Sequence, residues 1–127
     1  MPGATYDTGA LVAADRNDRR MWAIHARLLA RGLVPTVPAP VLAEAWRGGA
    51  RQASLSRLLA LCEIEPLTED LARAVGVLAG RAAHDDVVDV GVVEGAMRRG
   101  DGVVTSDPED IRRIAHAVHA TVNVEIV

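Results

Sequence analysis

A chain of 127 residues is long enough to close one hydrophobic core and offers no sign of a second. All 14 basic residues are arginine, which excludes sites built on lysine, among them the phosphate-cradling P-loop and Schiff-base chemistry. Three aromatics (Tyr6, Trp22, Trp46) are too few for a base-stacking platform, and a net charge of −3 does not hold nucleic acid by bulk electrostatics.

Any phosphate substrate must therefore be met by local arginines or by bound cations. Cys62 is the single cysteine, so neither an internal disulfide nor a cysteine-based zinc site is expected. The opening MPGATYD lacks a basic segment followed by an apolar core, and no apolar run reaches the ~20 residues of a membrane helix. The expectation is one domain over residues 1–127, cytoplasmic and away from membranes.

In chain order, residues 3–6 read as a short strand leading into Asp7, with a helix starting near Gly9. Asp18 caps a helix in which Met21, Ile24 and Leu28 recur at helical spacing up to Gly32. Leu33 to Val37 reads as a strand stopped by Pro38 and Pro40, followed by a helix through Glu44 to Gly48-Gly49. Leu55, Leu58, Leu59 and Cys62 mark a further helix, and Ile64 to Leu67 a short strand. Thr68 caps a helix carrying Leu71, Val75, Leu78 and Ala82, and the next helix runs from near Asp86 to Gly100. Gly102 to Thr105 is a strand, Pro108 opens a helix, and Thr121 to Val127 ends the chain as a strand.

This alternation implies an α/β domain with a mainly parallel sheet, in which ligands bind outside the carboxyl ends of the strands. Asp7 and Asp107 both follow strands and so belong to that edge. Glu44 lies on the helical line of Val41, and Asp89 aligns with Val92, Val93 and Ala96. Each projects from or beside an apolar stripe, where a carboxylate is costly unless compensated. Gathering four carboxylates within ~6 Å costs roughly 3 kcal/mol per pair at an effective dielectric of ~20. Divalent cations with oxygen preference, Mg²⁺ or Mn²⁺, remove that repulsion and support phosphodiester hydrolysis.

Three stretches, YDTGAL (6–11), PAPVLAEAWRGG (38–49) and DVVDVGVVEGAMRRGDGVVTSDPEDIRRIA (86–115), resemble the PIN-domain ribonucleases, in particular VapC-like toxins. The resemblance runs in order over about residues 4 to 116. It implies strand order 3-2-1-4-5 and an acidic quartet of Asp7, Glu44, Asp89 and Asp107. It further implies Mg²⁺ or Mn²⁺ as cofactor, RNA as substrate, a homodimer, and a small antitoxin partner. This chain departs from the family where Asp89 precedes Val90 and Gly91 rather than alanines, a change that touches helix packing more than ligand chemistry. Asp110 offers a second acid near the fourth position.

Each acid also has a structural reading. Asp107, Pro108 and Asp110 satisfy helix-start rules as N-cap, N1 and N3, and Asp86 and Asp89 repeat the arrangement. Glu44 falls past the first helical turn, where capping explains little. Asp107 is assigned to the metal or its water, Asp110 mainly to the cap. Thr8, Thr105 and Ser106 are candidates for orienting a ligand acid, although Thr8 serves equally as a cap. Arg47 and Arg51 either meet RNA phosphate or stay at the surface. Arg98, Arg99, Arg112 and Arg113 read as solvated, and His116 and His119 as a pair without an acid; His84, beside Asp85 and Asp86, reads as a loop residue rather than one that approaches the site. Trp22 and Trp46 read as core or dimer contacts, Cys62 as a small core residue. Two competing functions remain: a receiver-type phosphoacceptor, disfavoured by the absence of lysine, and a catalytically silent PIN-like module that only binds a partner protein.

Overall fold

The computed structural model describes residues 3–127; Met1 and Pro2, part of the stretch read for a leader, lie outside them. The strands are β1 (Ala4–Tyr6), β2 (Thr36–Pro38), β3 (Glu63–Glu65), β4 (Gly102–Thr105) and β5 (Val124–Ile126). The helices are α1 (Thr8–Asp15), α2 (Arg19–Ala30), α3 (Ala39–Ala45), α4 (Ala53–Leu59), α5 (Glu69–Ala82), α6 (Val87–Arg99) and α7 (Pro108–Ala117). A 3₁₀ turn, Ala50–Gln52, precedes α4. All four strand pairings are parallel and the order is β3-β2-β1-β4-β5, as the resemblance implies.

The central strands are the apolar ones, because parallel strands covered on both faces must bury both sets of side chains. Every residue of β1 and β2 is buried, whereas the edge strands β3 and β5 carry Glu63, Glu65 and Glu125. Charges on edge strands discourage pairing with another chain. Successive residues of β1 serve opposite faces. The Tyr6 hydroxyl meets Nδ1 of His25 on α2 at 2.9 Å, and the Thr5 hydroxyl accepts from Arg99 on α6 at 2.8 Å. Between the sheet and its helices sits one core that includes Leu11, Met21, Val37, Leu55, Val92 and Ile111.

Several boundaries differ from the pattern-based reading. Pro38 does not precede the stop but is the last residue of β2, opposite Glu65; without an N–H it can end a strand and open α3. The α3 helix stops at Ala45, short of Gly48-Gly49, because Trp46 is extended (φ −81°, ψ 131°). Both glycines adopt positive φ (80° and 88°), and the Gln52 side chain accepts from Arg47 N–H and Gly48 N–H, closing that loop. The α4 helix ends at Leu59, before Cys62, whose thiol is half-buried and bonds to the Leu58 carbonyl. Pro66 confines β3 to Glu63–Glu65.

Arg98 and Arg99 are not simply solvated. Arg99 lies under α6 where Gly95 leaves room: a Cβ there would come within 2.6 Å of the guanidinium. It pairs with Glu65 at 2.7 Å and Asp101 at 3.0 Å, while Arg98 joins Glu65 and Glu94. This network ties the edge strand β3 to α6 and to the entry of β4. No helix is long and apolar enough to cross a membrane among the described residues.

Candidate metal centre at the carboxyl edge

Strands β2 and β3 extend the sheet to one side of β1, and β4 and β5 to the other, so the direction in which strands are added reverses between the parallel neighbours β1 and β4. Such a switch point opens a crevice at the carboxyl ends of the two strands. Asp7 stands at its mouth. Its N–H extends the ladder to the Val104 carbonyl at 3.2 Å, and its carboxylate caps α1 by accepting from Ala10 N–H at 2.9 Å. Asp7 is 6% exposed. Burial pushes its pKa up, as does the nearby Asp107 charge, while the Thr105 hydroxyl and the N–H groups of Ala10 and Gly9 pull it back.

The loop after β4 comes very close to the start of α1. A Cβ on Gly9 would collide with Ser106 Oγ and lie 2.8 Å from its Cβ, so glycine is required there. Ser106 and Asp107 are exposed at the rim. The Asp107 side chain makes no cap hydrogen bond; its backbone N–H instead donates to the buried Thr105 hydroxyl at 2.8 Å. The competing reading of Asp107 as a side-chain N-cap does not hold: Thr105 holds that loop, and the Asp107 carboxylate makes no cap bond.

Asp89 reaches the same crevice from another element. The α6 helix runs back across the sheet, which brings its first turn to the carboxyl edge. Asp86 caps it, accepting from Val88 N–H at 3.0 Å and Asp89 N–H at 3.3 Å. Asp89 sits in that first turn, where exposed N–H groups favour negative charge. Its pKa is nevertheless pushed up to about 6, chiefly by burial and then by the charges of Asp86, Asp110 and Asp7, against the opposing pull of His84. No arginine counts among the causes acting on Asp7 or Asp89. Apart from the pull of His84 on Asp89, their repulsion is left uncompensated, the condition a divalent ion relieves.

Glu44 is exposed, contrary to the expectation that each acid would suffer desolvation; only Val41 of the two-turn α3 is buried. It is nonetheless tied to the site, since the Thr8 hydroxyl, next to Asp7, donates to Glu44 Oε1 at 2.6 Å. Arg47 donates to the carbonyls of Ala43 and Trp46, and Arg51 is exposed on the 3₁₀ turn. His116 and His119 are exposed and join no ligand-like group among the described residues. Trp22 packs on the core with its N–H on the Ala14 carbonyl, and Trp46 is 40% exposed.

Two residues that the sequence reading placed second to the quartet lie beside Asp89. Asp110, read mainly as a cap acid and also as a second acid near the fourth position, lies with Asp89 and His84 so that one ligand atom from each falls within 4.8 Å of the others. His84, read as a loop histidine, follows the left-handed Ala83 (φ 51°), and its N–H closes on the Ala79 carbonyl at 3.1 Å. The signal in the sequence was its place at the corner of two abutting helices, five residues before an N3 aspartate.

No family model and no curated sequence relative matches the chain. Solved structures do. A chain of VapBC2 from Rickettsia felis, bound to a promoter DNA fragment, superposes with a TM-score of 0.72 at 18% identity over 98% of both chains. FitAB bound to an IR36 DNA fragment gives a TM-score of 0.64 at 16% identity, covering 97% of this chain and 94% of that one. A toxin–antitoxin complex from Klebsiella pneumoniae gives 0.62 at 16% identity, covering 85% of this chain and 89% of that one. With its five parallel strands in the order 3-2-1-4-5, the chain has the PIN-like α/β fold that it shares with these structures.

Proposed function

We propose that the chain is a divalent-cation-dependent endoribonuclease, the toxin of a toxin–antitoxin pair, working in the cytoplasm with Mg²⁺ or Mn²⁺. What supports this reading is that Asp107 acts electrostatically on Asp7, and Asp7 on Asp89, at the carboxyl edge, with Glu44 tied to Thr8 beside Asp7. Among the described residues, Asp89, Asp110 and His84 form the group whose ligand atoms lie within 4.8 Å of one another. The pKa values of Asp7 and Asp89 are both raised, and no arginine is among the groups that act on them; only His84 pulls against the rise at Asp89. The residues present fit a hard divalent ion: they are carboxylates, and the Asp107 side chain makes no cap hydrogen bond.

In this reading Asp7 is held by its cap bond to Ala10, which leaves its second oxygen for a cation. Thr8 steadies Glu44, and Thr105 fixes the loop that carries Asp107. Asp89, with its pKa near 6, carries a proton part of the time in the cation-free protein and exchanges it for the ion. When bound, the ion supplies charge neutralisation on the phosphate and activation of water. Arg47 and Arg51 flank the Glu44 side, where phosphate of an RNA strand would pass. The acidity of the chain is then no obstacle, because the cation mediates between carboxylates and polymer.

A second observation supports a protein partner. An apolar groove of about 310 Å³ runs between α5, α6 and the ends of β2 and β3, and Leu67 and Val87 on its wall are 50% and 58% exposed. It suits an antitoxin segment or a second copy of the chain, and it is the basis of the alternative, a catalytically silent PIN-like binding module. The toxin–antitoxin complexes among the similar structures support the antitoxin as partner. Incubation of the purified protein with total cellular RNA, with and without Mg²⁺ or Mn²⁺, separates the readings. Cation-dependent cleavage that disappears in folded Asp7→Asn and Asp89→Asn is expected. Cleavage that survives either substitution refutes the assigned site, and failure to bind any divalent ion favours the binding module.

A further inference from the structure

The acidic edge is not built of carboxylates alone. The side chain of His84 is 14% exposed, and its Nε2 is buried with no hydrogen-bond partner. That atom faces Asp89 Oδ2 at 3.8 Å, too long for a hydrogen bond but short enough for both to bind one ion. Asp110 completes a set of three ligand atoms within 4.8 Å of one another, and its other neighbour is Arg113 at 3.0 Å. A buried polar atom left without a partner carries a desolvation cost. A ligand for the imidazole nitrogen removes that cost.

We propose that His84 supplies a nitrogen ligand to a cation shared with Asp89 and Asp110, which biases this chain's site toward Co²⁺, Ni²⁺ or Zn²⁺ relative to Mg²⁺. The inference rests on the reading that the carboxyl edge holds a divalent ion, and it names the ion class. Mg²⁺ takes oxygen ligands almost exclusively, whereas imidazole suits the borderline transition ions. The donor is positioned before any ion arrives. Ala83 in the left-handed conformation and the His84 N–H bond to the Ala79 carbonyl fix the corner on one side. On the other, the Asp86 cap fixes the turn that presents Asp89.

The test is calorimetric titration of the metal-free protein with Co²⁺ and, separately, Mg²⁺, comparing the parent chain with His84→Ala. All proteins carry His116→Ala and His119→Ala, so that the exposed pair does not compete. The ratio of Co²⁺ to Mg²⁺ affinity is expected to fall at least tenfold in His84→Ala. An unchanged ratio overturns the inference. A measurement that needs no substitution at the corner guards against misfolding: proton NMR of the Co²⁺-loaded parent is expected to show a strongly shifted histidine ring signal. Its absence, with Co²⁺ bound, overturns the inference as well. Co²⁺ ligation by His84 without any RNA cleavage upholds this inference and refutes the nuclease reading. Cation-dependent cleavage with an unchanged ion ratio does the opposite.

Discussion

Replacing Asp89 by Asn is expected to make the metal-free protein more stable while it destroys the site. The ordinary Asp value of 3.8 is raised to about 6 in the folded chain, so folding binds the proton more tightly than the unfolded state does. The ionised carboxylate therefore costs stability as pH rises from 3.8 through about 6, and the cost is constant above that. At ~1.4 kcal/mol per unit the full shift corresponds to about 3 kcal/mol. The side chain is 28% exposed, and solvent screening brings the expected gain to roughly 1–2 kcal/mol. For a domain of 127 residues that is a rise in Tm of about 4–8 °C. Thermal melts of both proteins in chelator, at neutral pH and near pH ~4, measure it. The gap is expected at neutral pH and should close in acid, since Asn does not titrate. Saturating divalent ion should stabilise the parent alone, by the usual mass-action term. An Asn variant no more stable than the parent at neutral pH in chelator, or a gap that persists in acid, refutes the electrostatic reasoning.

Three further outcomes test other parts of the structure. Thr8→Val removes the 2.6 Å bond to Glu44 and should weaken divalent-ion binding about three- to tenfold by calorimetry, with a stability change of about 1 kcal/mol or less. Gly9→Ala should cost more than about 2 kcal/mol in denaturant unfolding, because the new Cβ meets Ser106; adding Ser106→Gly should recover part of the loss, and strict additivity would contradict the predicted clash. Arg99→Ala leaves Asp101 and Glu65 short of a partner and should lower stability by roughly 2–3 kcal/mol, measured as a shift in the denaturant midpoint at unchanged slope. A loss below about 0.5 kcal/mol would place the pair among solvent-screened surface contacts instead.

Much of the fold was legible in local patterns. The α2 and α5 helices carry their apolar residues at helical spacing, and Asp18 and Thr68 cap them through side-chain bonds to Met21 and Leu71. The β4 strand begins and ends where the apolar run Gly102–Thr105 does. The order of the strands came from the resemblance of three motifs, since parallel pairing is a property of distant segments. Boundaries set by loop contacts were harder to read. The end of α3 depends on Gln52 reaching back to Arg47 and Gly48, and no periodicity signals that bond.

At the site, residue type and order alone pointed to Asp7, Glu44, Asp89 and Asp107 as one group, because acids beside apolar stripes ask for compensation. What each acid experiences was decided only by tertiary packing. Asp7 is buried at the switch point while Glu44 is exposed and held through Thr8. Asp107 and Asp110 look interchangeable along the chain as helix-start acids, yet Asp107 lies by Asp7 and Asp110 by Asp89. Along the chain His84 reads as a loop residue beside Asp85 and Asp86. It becomes a potential ligand only because the corner between α5 and α6 folds its imidazole over the first turn of α6 and shuts water away from Nε2. Local sequence encodes helix, strand and cap through short-range hydrogen bonds, whereas burial and charge–charge distance belong to the folded chain as a whole.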